Sequence, residues 1–338
     1  MPPSASITLY SSPRDGIIAL PSGPASRWAV TALDLAQFES ADEGVHVLPT
    51  SDLVRVKDSL DTLYVNAARF DVAVSTTTDP FIGDVGRGLA RRLDGSWRVE
   101  VGNFMLSPSN ARSSMRFLWD SVEGPLACVL KSHADDVAAV AFLRSDETGF
   151  ELAALRSPRD GQIVVGALAP EADFASLATV VPVSVTAPDL PAVLEQVAQV
   201  FLPSYEHALA QGHHRLLERH LDRIRAAQDS SERPDIWWLS SELCRQWYGL
   251  DQHLRRGLYG PLPEALDDLL NQADLDSAAQ YAKGTAEVLE YWRDQGTRLA
   301  ELVRSLDPDL AARPTTAPVS SALPPGLPGQ VLRPGPSR

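Results

Sequence analysis

The chain has 338 residues, with 44 acidic against 30 basic side chains and a formal charge of −14. That balance excludes a protein whose whole surface is built to cover phosphates, which needs clustered Lys and Arg. No apolar run approaches the roughly 18–20 residues that a membrane span requires, so no membrane partner is expected.

Hydrophobic residues make up 44% and charged residues 22%, ordinary globular proportions that bury a core without metals or disulfides. The length exceeds what one core usually serves, so more than one unit is expected. Residues 1–20 lack a basic stretch followed by an apolar one, which sets the expected location as cytoplasmic. Cys128 and Cys244 are the only cysteines and form no zinc or disulfide spacing.

In chain order, residues 6–10 alternate and read as a strand. Ser12-Pro13-Arg14-Asp15-Gly16 is a turn, and 17–20 form the return strand of a hairpin. Residues 28–38 are ambiguous. Leu53, Val56, Leu60 and Leu63 recur at helical spacing after Ser51, a candidate N-cap. A strand at 70–75 leads to Asp79-Pro80, then a helix over 81–93 closed by Asp94-Gly95, then a strand at 97–101.

Residues 110–121 have helical spacing. Strands follow at 137–143, 150–156, 162–168 and 180–186, then a helix over 192–201. The pentapeptide at 12–16 recurs as Ser157-Pro158-Arg159-Asp160-Gly161, again ahead of an apolar strand. This echo suggests two related α/β units, although the same string is good turn chemistry in its own right. From 204 the pattern is helical, over 205–227, 236–258, 264–270 and 276–306. Prolines recur from 314 to 338 without apolar periodicity, which predicts disorder. The expected fold class is therefore α+β: a mixed α/β unit at 1–105, a second at 106–203, a helical bundle or hairpin at 204–310 and a tail at 311–338.

Four groups carry candidate chemistry. Gly83, Gly86 and Gly88 follow a strand at the start of a helix, where bare backbone could approach a phosphate. Their G-x-x-G-x-G order reverses the dinucleotide fingerprint, and close helix–sheet packing explains small residues equally. Arg215, Arg219 and Arg223 form an i, i+4, i+8 ridge that suits nucleic-acid phosphates, but Glu218 and Asp222 interleave and can pair with it on an exposed face. His207, His213, His214 and His220 accompany them with Glu206. No third ligand completes the His214–Glu218 spacing, so a solvated polar face is expected rather than a metal site.

Trp237, Trp238, Trp247 and Tyr248 widen the apolar face of their helix. That width marks either a helix buried within its bundle or an interface rich in aromatic anchors. No nucleophile elbow or catalytic motif is present. The sequence therefore points to a non-enzymatic interaction, scaffold or regulatory protein with no cofactor, acting on a protein partner or on itself through the Trp-rich region. A nucleotide- or phosphate-binding enzyme using 79–88 and a nucleic-acid binder using the arginine ridge are the alternatives.

Overall fold

The computed structural model describes residues 4–103, 117–121, 123–133, 136–175, 177, 181–228, 236–280, 285–307 and 310. The chain is α+β, with two sheets in its first part and helices after them. The expected tail lies outside the described residues.

The first sheet begins as a hairpin of β1 (Ala5–Ser12) and β2 (Gly16–Ser22), joined by the first Ser-Pro-Arg-Asp-Gly turn. Gly16 has φ 93°, a left-handed position that only a bare backbone occupies easily, and a Cβ there would strike the Leu48 carbonyl oxygen. The Ser12 hydroxyl accepts the N–H groups of Arg14 and Asp15, closing the turn. Most of the stretch 28–38, ambiguous in sequence, lies in α1 (Ser26–Leu35), which buries Ala29, Ala32 and Leu33.

Two short strands that sequence periodicity missed follow, β3 (Glu39–Asp42) and β4 (Val45–Leu48). They are four residues each, and β3 is almost wholly polar, so no alternation marks it. Helix α2 (Leu53–Arg69) starts at Leu53 as its spacing predicted, but Asp52, not Ser51, caps it, taking the Val54 and Arg55 N–H groups at 3.0 and 3.2 Å. Its buried positions are Val56, Ser59, Leu63 and Ala67. The chain reverses through Asp71 at φ 55° into β5 (Val72–Thr76), which runs parallel to β1 and closes the order β3-β4-β2-β1-β5.

Helix α3 (Ile82–Ala90) bridges to the second sheet. The expected Asp79 cap is absent; Phe81 stands at the cap position without a side-chain bond. The helix is instead tied to the first turn. Ser12 donates to Asp84 at 3.0 Å, and Arg87 reaches Asp15 at 2.5 Å and Asp84 at 3.0 Å.

The second sheet has the order β11-β10-β9-β8-β6, from β6 (Trp97–Asn103), β8 (Ala139–Ser145), β9 (Glu151–Arg156), β10 (Ile163–Leu168) and β11 (Val185–Ala187). β7 (Leu118–Trp119) pairs with the end of β10. The helix expected over 110–121 is thus not formed at 117–121; its earlier part lies outside the described residues. Helix α4 (Pro125–His133) covers part of one face with Leu126 and Leu130, against Val140, Leu155 and Val164. Asp120 holds its start, accepting the Ala127 N–H at 3.0 Å and the Ser184 hydroxyl at 2.8 Å.

Beyond the single-turn α5 (Ala172–Ala175), α6 (Leu190–Gln196) starts at Asp189, whose carboxylate takes the Ala192 N–H. A π-helical turn, Val197–Phe201, carries it directly into α7 (Leu202–Gln228). Helices α8 (Ile236–Arg255), α9 (Glu264–Gln280) and α10 (Thr285–Leu306) complete the bundle. The break expected within 271–275 is not there; α9 runs through it.

The main core lies between the second sheet, α3, α6 and the first half of α7, and includes Phe81, Val85, Leu143, Val165, Phe174 and Tyr205. Ile18, Leu20 and Val45 of the first sheet join it. A separate core under the first sheet is made with α1 and α2, and another fills the bundle around Trp247, Leu250, Leu270 and Leu299.

Candidate interaction surface

Trp247, the centre of the aromatic-rich helix, is 1% exposed and meets Trp292 edge to face at 5.4 Å. Tyr248 is half-buried and meets the same Trp292 ring at 6.4 Å. These two side chains serve the bundle's interior. Trp238 stands 38% exposed, with the Arg223 guanidinium 5.7 Å above its ring and His220 against its edge at 5.5 Å. Trp237 belongs to α8, but its side chain lies outside the described residues. The candidate quartet is therefore split, and Trp238 is its one tryptophan described at the surface.

The histidine-bearing face of α7 is not solvated, as the sequence suggested, but packed. His214 and His220 are each 1% exposed. His214 Nε2 lies 2.9 Å from the Ala300 carbonyl of α10. His213 places Nδ1 2.7 Å from Gln246 Oε1, which accepts, and its ring is boxed by Phe174 at 4.8 Å and His253 at 5.8 Å. Burial pushes His213 and His220 each down to about 4, and lowers His214 as well. Neutral imidazoles tolerate an apolar helix interface that a charged ring would not. What sequence spacing cannot show is that α7 is covered on several sides at once.

The arginine ridge is also rearranged. Glu218 turns away from it to Arg304 of α10, and Asp222 pairs with Arg225 at 2.7 Å. Arg215 and Arg219 are partly buried, and Arg223 is exposed against Trp238. Among the described residues, no group of three or more His, Cys, Asp or Glu is placed to hold a metal ion.

The glycines of α3 face side chains. A Cβ at Gly83 would strike Phe81, one at Gly86 would sit 2.8 Å from the Ala141 methyl, and one at Gly88 2.5 Å from Leu190 Cδ2. Gly83 and Gly86 let α3 lie close on β6 and β8, and Gly88 makes room for Leu190 of α6, which is the packing explanation the sequence also allowed.

A cleft of about 620 Å³ opens where the β3–β4 turn meets the uncovered part of the second sheet, walled by Asp42, Glu43, Arg98, Glu100, Phe142 and Arg144. Its bases are already matched, Arg98 with Asp146 at 2.5 Å and Arg144 with Glu151 at 3.1 Å. Burial raises the Asp42 carboxyl above the usual range. Among the described residues, its walls carry carboxylates and arginines but no Ser, Thr, Cys or His.

The exposed apolar surface gathers elsewhere. Of the ten large apolar side chains exposed among the described residues, six belong to α1 and α2: Trp28, Leu35, Leu53, Val54, Tyr64 and Val65. Leu53, assigned by its spacing to the buried stripe, is 77% exposed because it opens the helix ahead of the sheet's cover. Val54 is 72% and Val65 68% exposed, both on the side of α2 opposite its buried positions. Trp28 stacks on Phe70 at 5.4 Å, with Arg27 5.1 Å over its ring and Arg69 5.8 Å over Phe70. Sequence periodicity held the signal: two adjacent apolar pairs, 53–54 and 64–65, exceed what one buried stripe of α2 can use.

No protein-family model, no curated protein and no solved structure matches this chain. No helix among the described residues is long and apolar enough to cross a membrane.

Proposed function

We propose that this chain is a non-enzymatic interaction protein of the cytoplasm that docks a protein partner through the outer face of α2, flanked by α1. The observation that carries this reading is the concentration of six of the ten exposed large apolar side chains on those two helices. Large apolar side chains gathered on two neighbouring helices point to a partner site, whereas exposed residues scattered singly do not. Burying one such side chain fully contributes roughly 1.5–3 kcal/mol, so a few of them can sustain a specific complex. Trp238, beside Arg223, is a smaller second anchor of the type interfaces favour.

The test places a photo-crosslinking residue at position 64 of the full chain, with position 159, in the exposed turn before β10, as a control. Adducts formed at 64 and not at 159 support the reading. Equal labelling at both positions, or none at 64, overturns it.

A further inference from the structure

The outer face of α2 has an internal symmetry. Along the helix, the exposed side chains run apolar, charged, apolar: Leu53 and Val54, then Lys57 and Asp61, then Tyr64 and Val65. Residues eleven apart return to within about 20° of the same direction, about 16 Å along the axis. Leu53 and Tyr64 therefore share one edge of this face, and Val54 and Val65 share the other. Lys57 and Asp61 lie between them, near the midpoint.

Reversing such a helix about its midpoint exchanges its ends without changing edges. Leu53 comes to lie opposite Tyr64 of the partner subunit, and Val54 opposite Val65 of the partner subunit. At the centre Lys57 meets Asp61 of the partner subunit, so unlike charges face each other twice across the axis. A surface that matches its own reversed copy in both shape class and charge is what a two-fold, isologous interface requires. The buried residues Val56, Ser59, Leu63 and Ala67 hold α2 to the first sheet from behind, so the face is presented by a rigid support.

We propose that the partner docked on α2 is a second copy of this chain, with the two α2 helices antiparallel about a two-fold axis near Ser59. This rests on the reading of α2 as the docking face, and specifies its occupant. Asp58 lies on the α1 side of the helix, beside Leu35, and sits at the rim of the contact.

Sedimentation of the full chain over a range of concentrations tests it. The expected result is a reversible monomer–dimer equilibrium. Lys57→Asp and Asp61→Lys should each weaken the dimer by about tenfold or more, because each sets like charges against one another across the axis. The double variant Lys57→Asp/Asp61→Lys should recover the affinity to within a few-fold. Both sites are exposed, and circular dichroism of each variant checks that the fold is kept.

A chain that stays monomeric at every concentration overturns the proposal. So does a dimer indifferent to the single changes, or one that the double change fails to restore. Crosslinking at position 64 separates the two levels. Adducts to a different protein from a monomeric chain overturn self-pairing and leave the docking face standing; no adduct of any kind removes the face itself.

Discussion

Trp247 of α8 and Trp292 of α10 meet edge to face at 5.4 Å, both nearly sealed from solvent. The pair sits among Leu243, Leu250 and Leu299 in the bundle core. Replacing Trp247 by Ala should cost about 3–5 kcal/mol, from lost burial and the cavity left behind. Trp238→Ala, at a partly exposed site that loses its contacts with Arg223 and His220, should cost less, about 1 kcal/mol. Urea denaturation of the two variants checks the contrast, and similar losses would contradict the assigned burial.

Acid should loosen the chain before any carboxylate of ordinary pKa titrates. His213 is held down at about 4 by burial, with the Gln246 bond opposing, against about 6.5 for an exposed imidazole. The unfolded chain therefore binds more protons than the folded one between those values. The stability contributed is whole above pH 6.5 and is lost as pH falls towards 4, on the order of 3 kcal/mol for this ring. His220 carries the same sign. Denaturation midpoints at pH 7.5 and pH 5 measure the loss, and His213→Asn should flatten that difference.

The α3 glycines should reveal themselves in stability rather than in ligand binding. Gly86→Ala drives a methyl to 2.8 Å from Ala141 Cβ and 3.1 Å from Val99 Cγ1, atoms anchored to the sheet. Overpacking of about 1–3 kcal/mol should outweigh the gain of about 1 kcal/mol in helix propensity. Gly88→Ala meets the far end of Leu190, which can rotate away, and should be near neutral. Thermal melts of both variants decide it; equal behaviour would remove the packing account.

Asp307 is 1% exposed and accepts from Gln211 Nε2 at 3.0 Å and Tyr259 Oη at 2.9 Å. Asp307→Ala strands those donors and should cost about 2–4 kcal/mol. Tyr259→Phe removes one of the donors and should cost about 1 kcal/mol. Chemical denaturation of the two variants gives the comparison, and a neutral Asp307→Ala would mean that the cluster does not secure the end of α10.

Elements with strong period or punctuation were legible in sequence: the hairpin at the first Ser-Pro-Arg-Asp-Gly turn, the strands around β8–β10, and the long helices α7 and α8. The repeated pentapeptide does form two hairpin turns, with Gly16 and Gly161 both at positive φ. Polar β3 and two-residue β7 carry no periodic signal, because tertiary pairing alone makes them strands. The strand of β6 was legible from its alternation but its partner was not: it lies ahead of residue 105 in sequence yet pairs with β8 beyond it. At the candidate sites, residue type was readable but surroundings were not. Periodicity says which positions of a helix share a face, not how many neighbours cover that helix, so the α7 histidines read as polar surface. The paired apolar residues of α2 were visible, but Leu53 looked like core until the sheet's extent was known.

Helix α7 takes part in two cores. Tyr205, Ala208, Leu209 and Leu216 pack with the second sheet, and Tyr205 donates to the Leu168 carbonyl at 2.8 Å. Leu217, Leu221 and Ile224, from the very next residue onward, pack with α8 and α10. A rigid rod shared in this way makes the sheet and the bundle interdependent. Melting one exposes half of α7 and removes the support for the other, so the two should unfold in a single cooperative step. Cleaving the chain ahead of residue 204 would then yield not two autonomous pieces but a sheet with an open core and a bundle with a naked helix.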